Sequence, residues 1–337
     1  MLVCLSKNIM MKKKQIVHRP EKFGFRSKDD EEFPRVILVA TASPCNARCP
    51  HCPCATMPIL RKTEDPFVRL EYFKKMIDEA SHYDTNLRLS GYGEPLLHPN
   101  FFEVVEYASK KKVNFSLITN GSLFTDEKIK RIIELDVDSI EISVDSHKEE
   151  IYKKIRVGLD FKKVKNNIIN LVKTRDRLKK HTVIMGSIIN QPSRNPEIKQ
   201  AEAYWAKIVD KVMIRAYVTW GILPTNDYGE PYLDPVNREP CPYPFERLLI
   251  DPAGYIRLCP NDNQKIIPPL GHLKTHTIKE VWHSKRMNKI REGHLKRKFN
   301  KVELCNICTD YAYRSWNYNY ASALKEARKK VSQSSNQ

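Results

Sequence analysis

At 337 residues and 41% hydrophobic content, the chain can build one large domain, or a large one with a small appendage, around a real core. A mean hydropathy of −0.53 and the lack of a long apolar run exclude a membrane-spanning helix, and Lys12-Lys13-Lys14 is not followed by the apolar stretch of a secretory signal. The formal charge of +18 attracts acidic partners, and nine clustered cysteines, an odd number, point to metal ligands in a reducing cytoplasm and not to disulfides.

Residues 1–34 read as a polar, charged arm ending in Asp29-Asp30-Glu31-Glu32. Residues 35–40 form a short apolar strand that runs straight into Thr41-Ala42-Ser43-Pro44-Cys45-Asn46-Ala47-Arg48-Cys49-Pro50-His51-Cys52. A loop with this C-x3-C-x2-C spacing can wrap three thiolates around one face of a cubane iron–sulfur cluster. Four corners need four ligands, so three cysteines leave one iron open for chemistry, as an open position separates catalytic from structural zinc. A zinc loop, or three buried thiols, is the alternative; it fits less well because zinc sites usually match one cysteine pair with a second. Cys54, two residues further on, reads as a small buried hydrophobe, with a hydrogen-atom donor or substitute ligand as the other reading.

Helical and strand periodicities then alternate. Helices are expected over 68–81, 100–111, 126–135, 161–179 and 197–209, and strands over 87–90, 113–119, 139–144, 183–189 and 212–217. Six strands alternating with helices imply a parallel sheet wrapped by helices, closed partly into a barrel or open and doubly wound. In either case function gathers beyond the C-terminal ends of the strands, where the cysteine loop lies.

The other strand ends carry further candidates. Ser90-Gly91-Tyr92-Gly93-Glu94-Pro95 offers two glycines for close approach of a ligand and a carboxylate for an ammonium group. Thr119-Asn120-Gly121 is a polar cluster in which a turn would in any case favour Asn or Gly. In the fourth strand Glu141, Ser143 and Asp145 fall on one face, a polar row that a buried parallel strand does not normally carry. Asn190 ends the fifth strand and could equally begin the turn into Pro192. Met213, Arg215 and Tyr217 should point into the barrel, with Arg215 either acting on substrate or pairing with Glu141.

After residue 218 the pattern changes. Residues 221–244 read as a long connection that includes Cys241; strands over 248–250 and 255–258 flank the hairpin signal Asp251-Pro252-Ala253-Gly254, and the second ends at Cys259. A helix over 278–291 precedes Cys305-Asn306-Ile307-Cys308. Four cysteines make a complete ligand set, for a cubane cluster or equally for a structural zinc. Residues 274–303 hold ten Lys and Arg against three Glu, a difference of +7. With no aromatic-stacking motif or helix-turn-helix beside it, this reads as a solvated basic surface and not as a nucleic-acid face.

The cysteine loop after the first strand and the Gly93-Glu94-Pro95 turn after the second resemble the radical S-adenosylmethionine enzymes. Gly254 to Cys259 (G-x4-C) and Ile278-Lys279-Glu280-Val281-Trp282 resemble their SPASM/twitch extension. Cysteine order is most similar to the small twitch-type group of the butirosin 2-deoxy-scyllo-inosamine dehydrogenase and related aminoglycoside enzymes. The resemblance implies an α/β fold, with a partial (β/α)6 barrel over 35–218, a small C-terminal SPASM/twitch cluster-binding domain over 219–320, and a tail over 321–337. It implies a [4Fe–4S] cluster on Cys45, Cys49 and Cys52 whose open iron chelates S-adenosyl-L-methionine, and one auxiliary [4Fe–4S] cluster on Cys241, Cys259, Cys305 and Cys308. Gly93 and Glu94 would hold the methionine amino group, although Tyr92 replaces a family glycine; Ser143 and Arg156 would contact the cofactor and His51 would lie beside its adenine. Asn120, Asp145 (toward the ribose) and Asn190 complete the expected cofactor contacts, and Arg215 is the catalytic candidate.

The implied chemistry is cleavage of the cofactor to a 5′-deoxyadenosyl radical and hydrogen abstraction from a polar sugar-like or aminocyclitol-like small molecule, an acidic one included. A fully ligated auxiliary cluster suits electron acceptance and a two-electron oxidation, with flavodoxin or ferredoxin as reductant. A redox-neutral epimerase or lyase, a peptide-modifying enzyme, and, from another class, a zinc-bearing nucleic-acid-binding protein are the rival readings.

Overall fold

Apolar runs that end in polar or glycine-bearing turns form the strands of this protein. The computed structural model describes residues 23–56, 65–191, 195–218, 237–262, 267–317 and 320–334. Cys4, Pro192 and most of the arm and of the 221–244 connection lie outside the described residues.

Strands β1 (Val36–Ala40), β2 (Asn86–Ser90), β3 (Asn114–Thr119), β4 (Ser139–Ser143), β5 (Val183–Asn190) and β6 (Lys211–Ala216) lie side by side in chain order, all parallel. A doubly wound sheet would reverse its order at a switch point, so this sequence of neighbours selects the partial barrel. Around it run α1 (Lys28–Glu32), α2 (Pro53–Thr56), α3 (Leu70–Ala80), α4 (Phe101–Lys110), α5 (Asp126–Glu134), α6 (Glu149–Ile155), α7 (Phe161–Arg177) and α8 (Ile198–Trp205). Side chains set their starts: Thr125 caps α5 by accepting from the N–H of Lys128, and Asp160 caps α7 by accepting from that of Lys163. Their apolar faces bury Phe73, Met76, Ile77, Val104, Ile132 and Ile168 with the outward side chains of the strands.

The C-terminal third is stitched into the same sheet. β7 (Arg247–Ile250) pairs in parallel with β1, and β8 (Tyr255–Arg257) and β9 (Gly271–His272) follow antiparallel, so nine strands form one sheet. Gly254 turns the expected hairpin at φ +91°, and a Cβ there would stand 2.6 Å from the Tyr72 ring. The helix expected over 278–291 is two, α9 (Ile278–Trp282) and α10 (Lys285–Leu295), because Ser284 caps the second by accepting from the N–H of Met287. α11 (Glu303–Ile307) carries Cys305, and Cys308 follows as its C-cap.

Residues 321–337, expected as a tail, belong largely to α12 (Tyr320–Ser334). Its Leu324, Ala327 and Val331 bury Val183 and Met185 of β5. Arg328 pairs with Asp138 before β4 and Lys330 donates to the Val209 carbonyl before β6 (3.3 Å), so the helix closes the N-terminal end of the barrel. Its first residue reaches deepest: the Tyr320 ring lies 3.5 Å from the Arg88 guanidinium, and its hydroxyl bonds with Ser116 (2.8 Å) and Ser139.

Inside the barrel, Arg88 of β2 and Arg215 of β6 converge on Glu141 of β4. Arg215 donates to Glu141 at 2.6 and 2.7 Å, and Arg88 donates to its Oε2. Burial pushes the Glu141 carboxyl up, but Arg215 and Arg88 together outweigh it and hold it at about 2. Arg215 is thus the ion-pair partner that one of its two readings anticipated. Removing the charge leaves two cations against no anion, so Glu141→Gln should cost about 3–5 kcal/mol in denaturant unfolding. A carboxylate with a depressed pKa stabilises above its unfolded value of 4.5 and loses that contribution as pH falls toward 2. The gap between wild type and Glu141→Gln should therefore close over that window.

Candidate functional site

The cysteine loop leaves the C-terminal end of β1 and is held by backbone on three sides. Thr41 N–H donates to Ser90 (3.1 Å), Ser43 N–H to Pro66 (2.7 Å) and Arg48 N–H to Val157 (2.8 Å), while Pro44 accepts from Glu94 N–H (2.9 Å). Gly91 and Gly93 make this fit. A Cβ at Gly91 would meet the Ala40 Cα at 2.3 Å, and one at Gly93 would meet the Pro44 oxygen at 2.1 Å. The glycines therefore let the turn lie against the cysteine loop, where the sequence suggested approach to a ligand.

Glu94 is buried and largely occupied. Its carboxylate accepts from Thr119 Oγ1 (2.6 Å), Asn120 N–H (2.8 Å) and Leu96 N–H (3.2 Å). Burial raises its pKa and these three bonds oppose the rise. Of about four lone-pair positions on a carboxylate, one remains, enough for an ammonium hydrogen bond. Asn120 donates to Asn46 Oδ1 of the cysteine loop (2.8 Å) and accepts from the hydroxyl (2.6 Å) and N–H (2.9 Å) of Ser122. It thus acts by tying the end of β3 to that loop.

Asp145 sits in left-handed backbone at φ +37°. Its carboxylate accepts from Ile189 N–H (2.8 Å) and from Arg156 Nε, so the chain takes part of its accepting capacity. Arg156, fixed in this way, donates through Nη1 to Cys49 Sγ at 3.7 Å. Ser143 is half-buried on the barrel's inner face in register with Ser187, and His51 is buried within the loop. Asn190 stands exposed at the end of β5, next to the Ile189 that donates to Asp145, and Arg215 lies with Glu141.

Burial pushes the Cys45 thiol up to about 12 and raises Cys49 as well, and both feel the charge of Cys52. Cys52 is lowered instead, because the Cys54 thiol donates to it. The buried Cys54 is thus a hydrogen-bond donor to the triad. Cys45 and Cys49 stay protonated on their own; a multivalent cationic centre is what ionises such a set. The donors therefore fit an iron–sulfur group, with the Arg156 guanidinium placed to offset thiolate charge.

Cys241, Cys259, Cys305 and Cys308 form a second set in which burial raises every thiol, Cys241 to about 11. His294 of α10 joins two of them. Its Nδ1 accepts from Cys241 N–H (3.1 Å), which leaves Nε2–H to donate to Cys305 Sγ (3.3 Å). Burial, with Arg238 nearby, lowers its pKa to about 4 and keeps the ring neutral. Asn261 donates its N–H to Cys259 Sγ (3.2 Å) and Nδ2 to Cys308 Sγ (3.6 Å) and Asp310 (2.6 Å). The charge of Arg314 lowers Cys241, Cys259 and Cys308 against the effect of burial. Among the described residues, no three His, Cys, Asp or Glu side chains crowd closely enough to hold one metal ion. A cubane asks for less convergence than a tetrahedral zinc, since each thiolate takes a different iron.

Residues 41–191 match the model of the radical SAM superfamily, and residues 241–309 match that of SPASM, an iron–sulfur cluster-binding domain. The chain carries a radical SAM domain followed by a SPASM domain. A radical SAM domain binds S-adenosylmethionine and a [4Fe–4S] cluster and a SPASM domain binds auxiliary clusters, so the zinc alternatives raised by the cysteine spacing fall. The cofactor-modifying protein of a tungsten-containing aldehyde ferredoxin oxidoreductase from Pyrococcus furiosus is 29% identical over 160 residues, 45% of this chain and 42% of that protein. The chain spans less than half the length of the curated relatives it matches. The structure of BtrN in complex with AdoMet and 2-DOIA aligns with a TM-score of 0.57 at 17% identity, over 81% of this chain and 92% of that one. Streptococcus suis SuiB bound to precursor peptide SuiA aligns with a TM-score of 0.63 at 12% identity, over 82% and 71%. At these identities the likeness is one of fold, and it is the radical SAM partial barrel with its C-terminal SPASM domain. Among the described residues, no helix is long and apolar enough to cross a membrane.

Sequence reasoning missed His294 and Asn261, which touch three of the four SPASM-domain thiols. His294 lies eleven positions before Cys305 with no motif around it; the polar Asn261-Asp262 pair just after Cys259 was the one visible hint. Two outcomes are expected. Gly93→Ala must displace the Pro44 backbone and should remove the iron of the cysteine loop while leaving about four irons per reconstituted chain. His294→Leu removes an N–H···S bond and should lower the midpoint potential of the SPASM-domain centre by on the order of 60 mV in a redox titration, the equivalent of about 1.4 kcal/mol for one electron.

Proposed function

We propose that the chain oxidises a polar small molecule by two electrons, with Cys45, Cys49 and Cys52 holding the cofactor-binding cluster and Cys241, Cys259, Cys305 and Cys308 holding one auxiliary [4Fe–4S] cluster. The observation that carries this reading is the unequal size of the two thiol sets. Three thiols beside Arg156 and Glu94 leave an iron open, whereas four thiols braced by His294 and Asn261 leave none. When bound, S-adenosylmethionine and its cluster supply a 5′-deoxyadenosyl radical that takes a hydrogen atom from a substrate C–H bond.

The chain's own groups orient that chemistry. Glu94 offers its remaining lone pair to the methionine ammonium, held in place by Thr119 and Asn120. Arg156 offsets thiolate charge at Cys49, with Asp145 as its anchor. Gly93 sets the turn that carries Glu94; Ser143, Asn190 and His51 remain candidates for the nucleoside half. Arg88, Glu141 and Arg215 together leave a net positive charge in the barrel, and the Arg215 side chain is 35% exposed, which suits a substrate with an acidic group. The small-molecule reading is supported by the likeness to BtrN, solved with 2-DOIA. Peptide modification is the second reading, favoured by the likeness to SuiB solved with its precursor peptide. Flavodoxin or ferredoxin in a reducing cytoplasm would supply the electrons.

Anaerobic reconstitution of two variants tests the assignment. Replacing Cys45, Cys49 and Cys52 together by Ala should abolish 5′-deoxyadenosine formation and leave about four of about eight irons. Cofactor cleavage surviving in that variant would sink the assignment. Replacing Cys305 and Cys308 should keep 5′-deoxyadenosine release and stop formation of oxidised product, once circular dichroism shows the variant folded. Oxidised product at the wild-type rate would instead make the second cluster structural and the enzyme a redox-neutral one.

A further inference from the structure

The C-terminal end of α10 turns back beside the loop that carries Cys305 and Cys308. Lys298 N–H returns to the Gly293 carbonyl (2.7 Å) and Arg297 N–H to that of His294 (3.0 Å), a Schellman turn. Arg297 occupies its left-handed position at φ +54°, where glycine is favoured. The turn presents Leu295, Lys296, Arg297 and Lys298 to solvent in succession.

Alongside lies a groove of about 540 Å³ lined by Arg286, Lys289, Lys296, Lys298 and Lys301, with Glu292 as its acidic member. Glu292 pairs with Lys296; among the described residues Lys289, Arg297, Lys298 and Lys301 form no ion pair. Unneutralised charge on this scale attracts an acidic surface over several ångströms of solvent. Two large apolar side chains of the same stretch of chain are exposed. Leu295 is 49% exposed, and Ile307, between the two cysteines, is 55% exposed. The thiols lie one layer below: Gly293 and Val302 line the groove, and the neighbouring His294 ring bonds to Cys305.

We propose that this surface docks an acidic one-electron carrier protein of the ferredoxin or flavodoxin class, which exchanges electrons with the auxiliary cluster; the redox part rests on the cluster assignment made above. An apolar spot rimmed by lysines over a buried redox centre brings two such proteins close while keeping the complex short-lived. Each encounter moves one electron: a carrier that arrives oxidised leaves reduced by one, and the centre on Cys305 and Cys308 is oxidised by one. No bond forms or breaks in that transfer.

The test uses the reconstituted full chain with a plant-type [2Fe–2S] ferredoxin as probe, titrated by calorimetry at two salt concentrations. Reversing the patch with Lys296→Glu, Lys298→Glu and Lys301→Glu should weaken binding at least tenfold and flatten its salt dependence. The same three-charge reversal on α7, at the exposed Lys162, Lys173 and Arg177, should leave binding within about twofold of wild type. Arg297→Gly relieves the left-handed turn, so it should raise the melting temperature and yet weaken binding; a merely structural role would not give these opposite signs. In the variant lacking Cys45, Cys49 and Cys52, oxidation of the dithionite-reduced centre by ferredoxin, followed by absorbance, should slow in parallel with the patch reversal.

Equal weakening by both reversals, or none by either, would overturn the proposal. So would loss of single-stranded RNA binding on patch reversal with ferredoxin binding unchanged. If the variant lacking the loop cysteines held no iron while ferredoxin binding still responded to the patch, docking would stand and the cluster assignment would fall.

Discussion

Three chain segments meet at the buried carboxylate of Glu94, and the geometry of the cofactor end of the barrel follows from that meeting. The residue's own N–H holds Pro44 of the cysteine loop, one oxygen holds the Thr119 hydroxyl, and the other holds the Asn120 backbone. A carboxylate taken out of water is costly unless its lone pairs are filled, so each of these bonds is worth more than its counterpart on the surface. Because Gly91 and Gly93 have no side chain, the turn that carries Glu94 can lie directly on the loop. The strand ends are thereby fixed relative to the thiols by bonds within the chain itself.

The two thiol centres solve one electrostatic problem by different means. At the first, one guanidinium does the work: Arg156, itself neutralised by Asp145, faces Cys49. At the second, neutral donors dominate, with the His294 ring and the Asn261 amide pointing hydrogens at three sulfurs while Arg314 contributes charge. Full charges stabilise the more anionic state strongly, and neutral N–H donors do so more gently.

Much of the fold was legible because its determinants are local. Six alternations of 3.6- and 2-residue periodicity specify a wound parallel sheet, and the polar row of β4 exposed the barrel interior to inspection, so that the pairing of Glu141 with Arg215 could be anticipated. What the chain did not disclose locally was where distant segments return. Nothing in residues 320–334 marks them as the floor of the barrel, since their amphipathic pattern would equally suit a free surface helix. Tyr320 reaches Ser116 across 204 positions, and such a contact leaves no trace in spacing. The candidate site divided in the same way. The cysteines were plain from their spacing, but the bonds by which Asp145 and Asn120 hold Arg156 and Asn46 were not, because they join positions far apart in the chain.

The pairing of β7 with β1 has a consequence for how the two domains can exist. In most appended modules a linker decides the distance between two centres. Here the cysteine loop springs from β1, and Cys259 follows the hairpin whose first strand is hydrogen-bonded to β1, residue against residue from Val36–Arg247 to Val39–Ile250. The spacing of the two centres is therefore set by a ladder of backbone bonds, whatever the length of the connection between β6 and β7. The converse is that the barrel has no finished border of its own on that side. Cut away the SPASM domain and Val36-Ile37-Leu38-Val39-Ala40, a straight apolar run, becomes an open edge with its amides unpaired, the template on which strands of separate molecules stack. The radical SAM half of this chain is a domain by ancestry, but in the physics of its sheet it is half of one object.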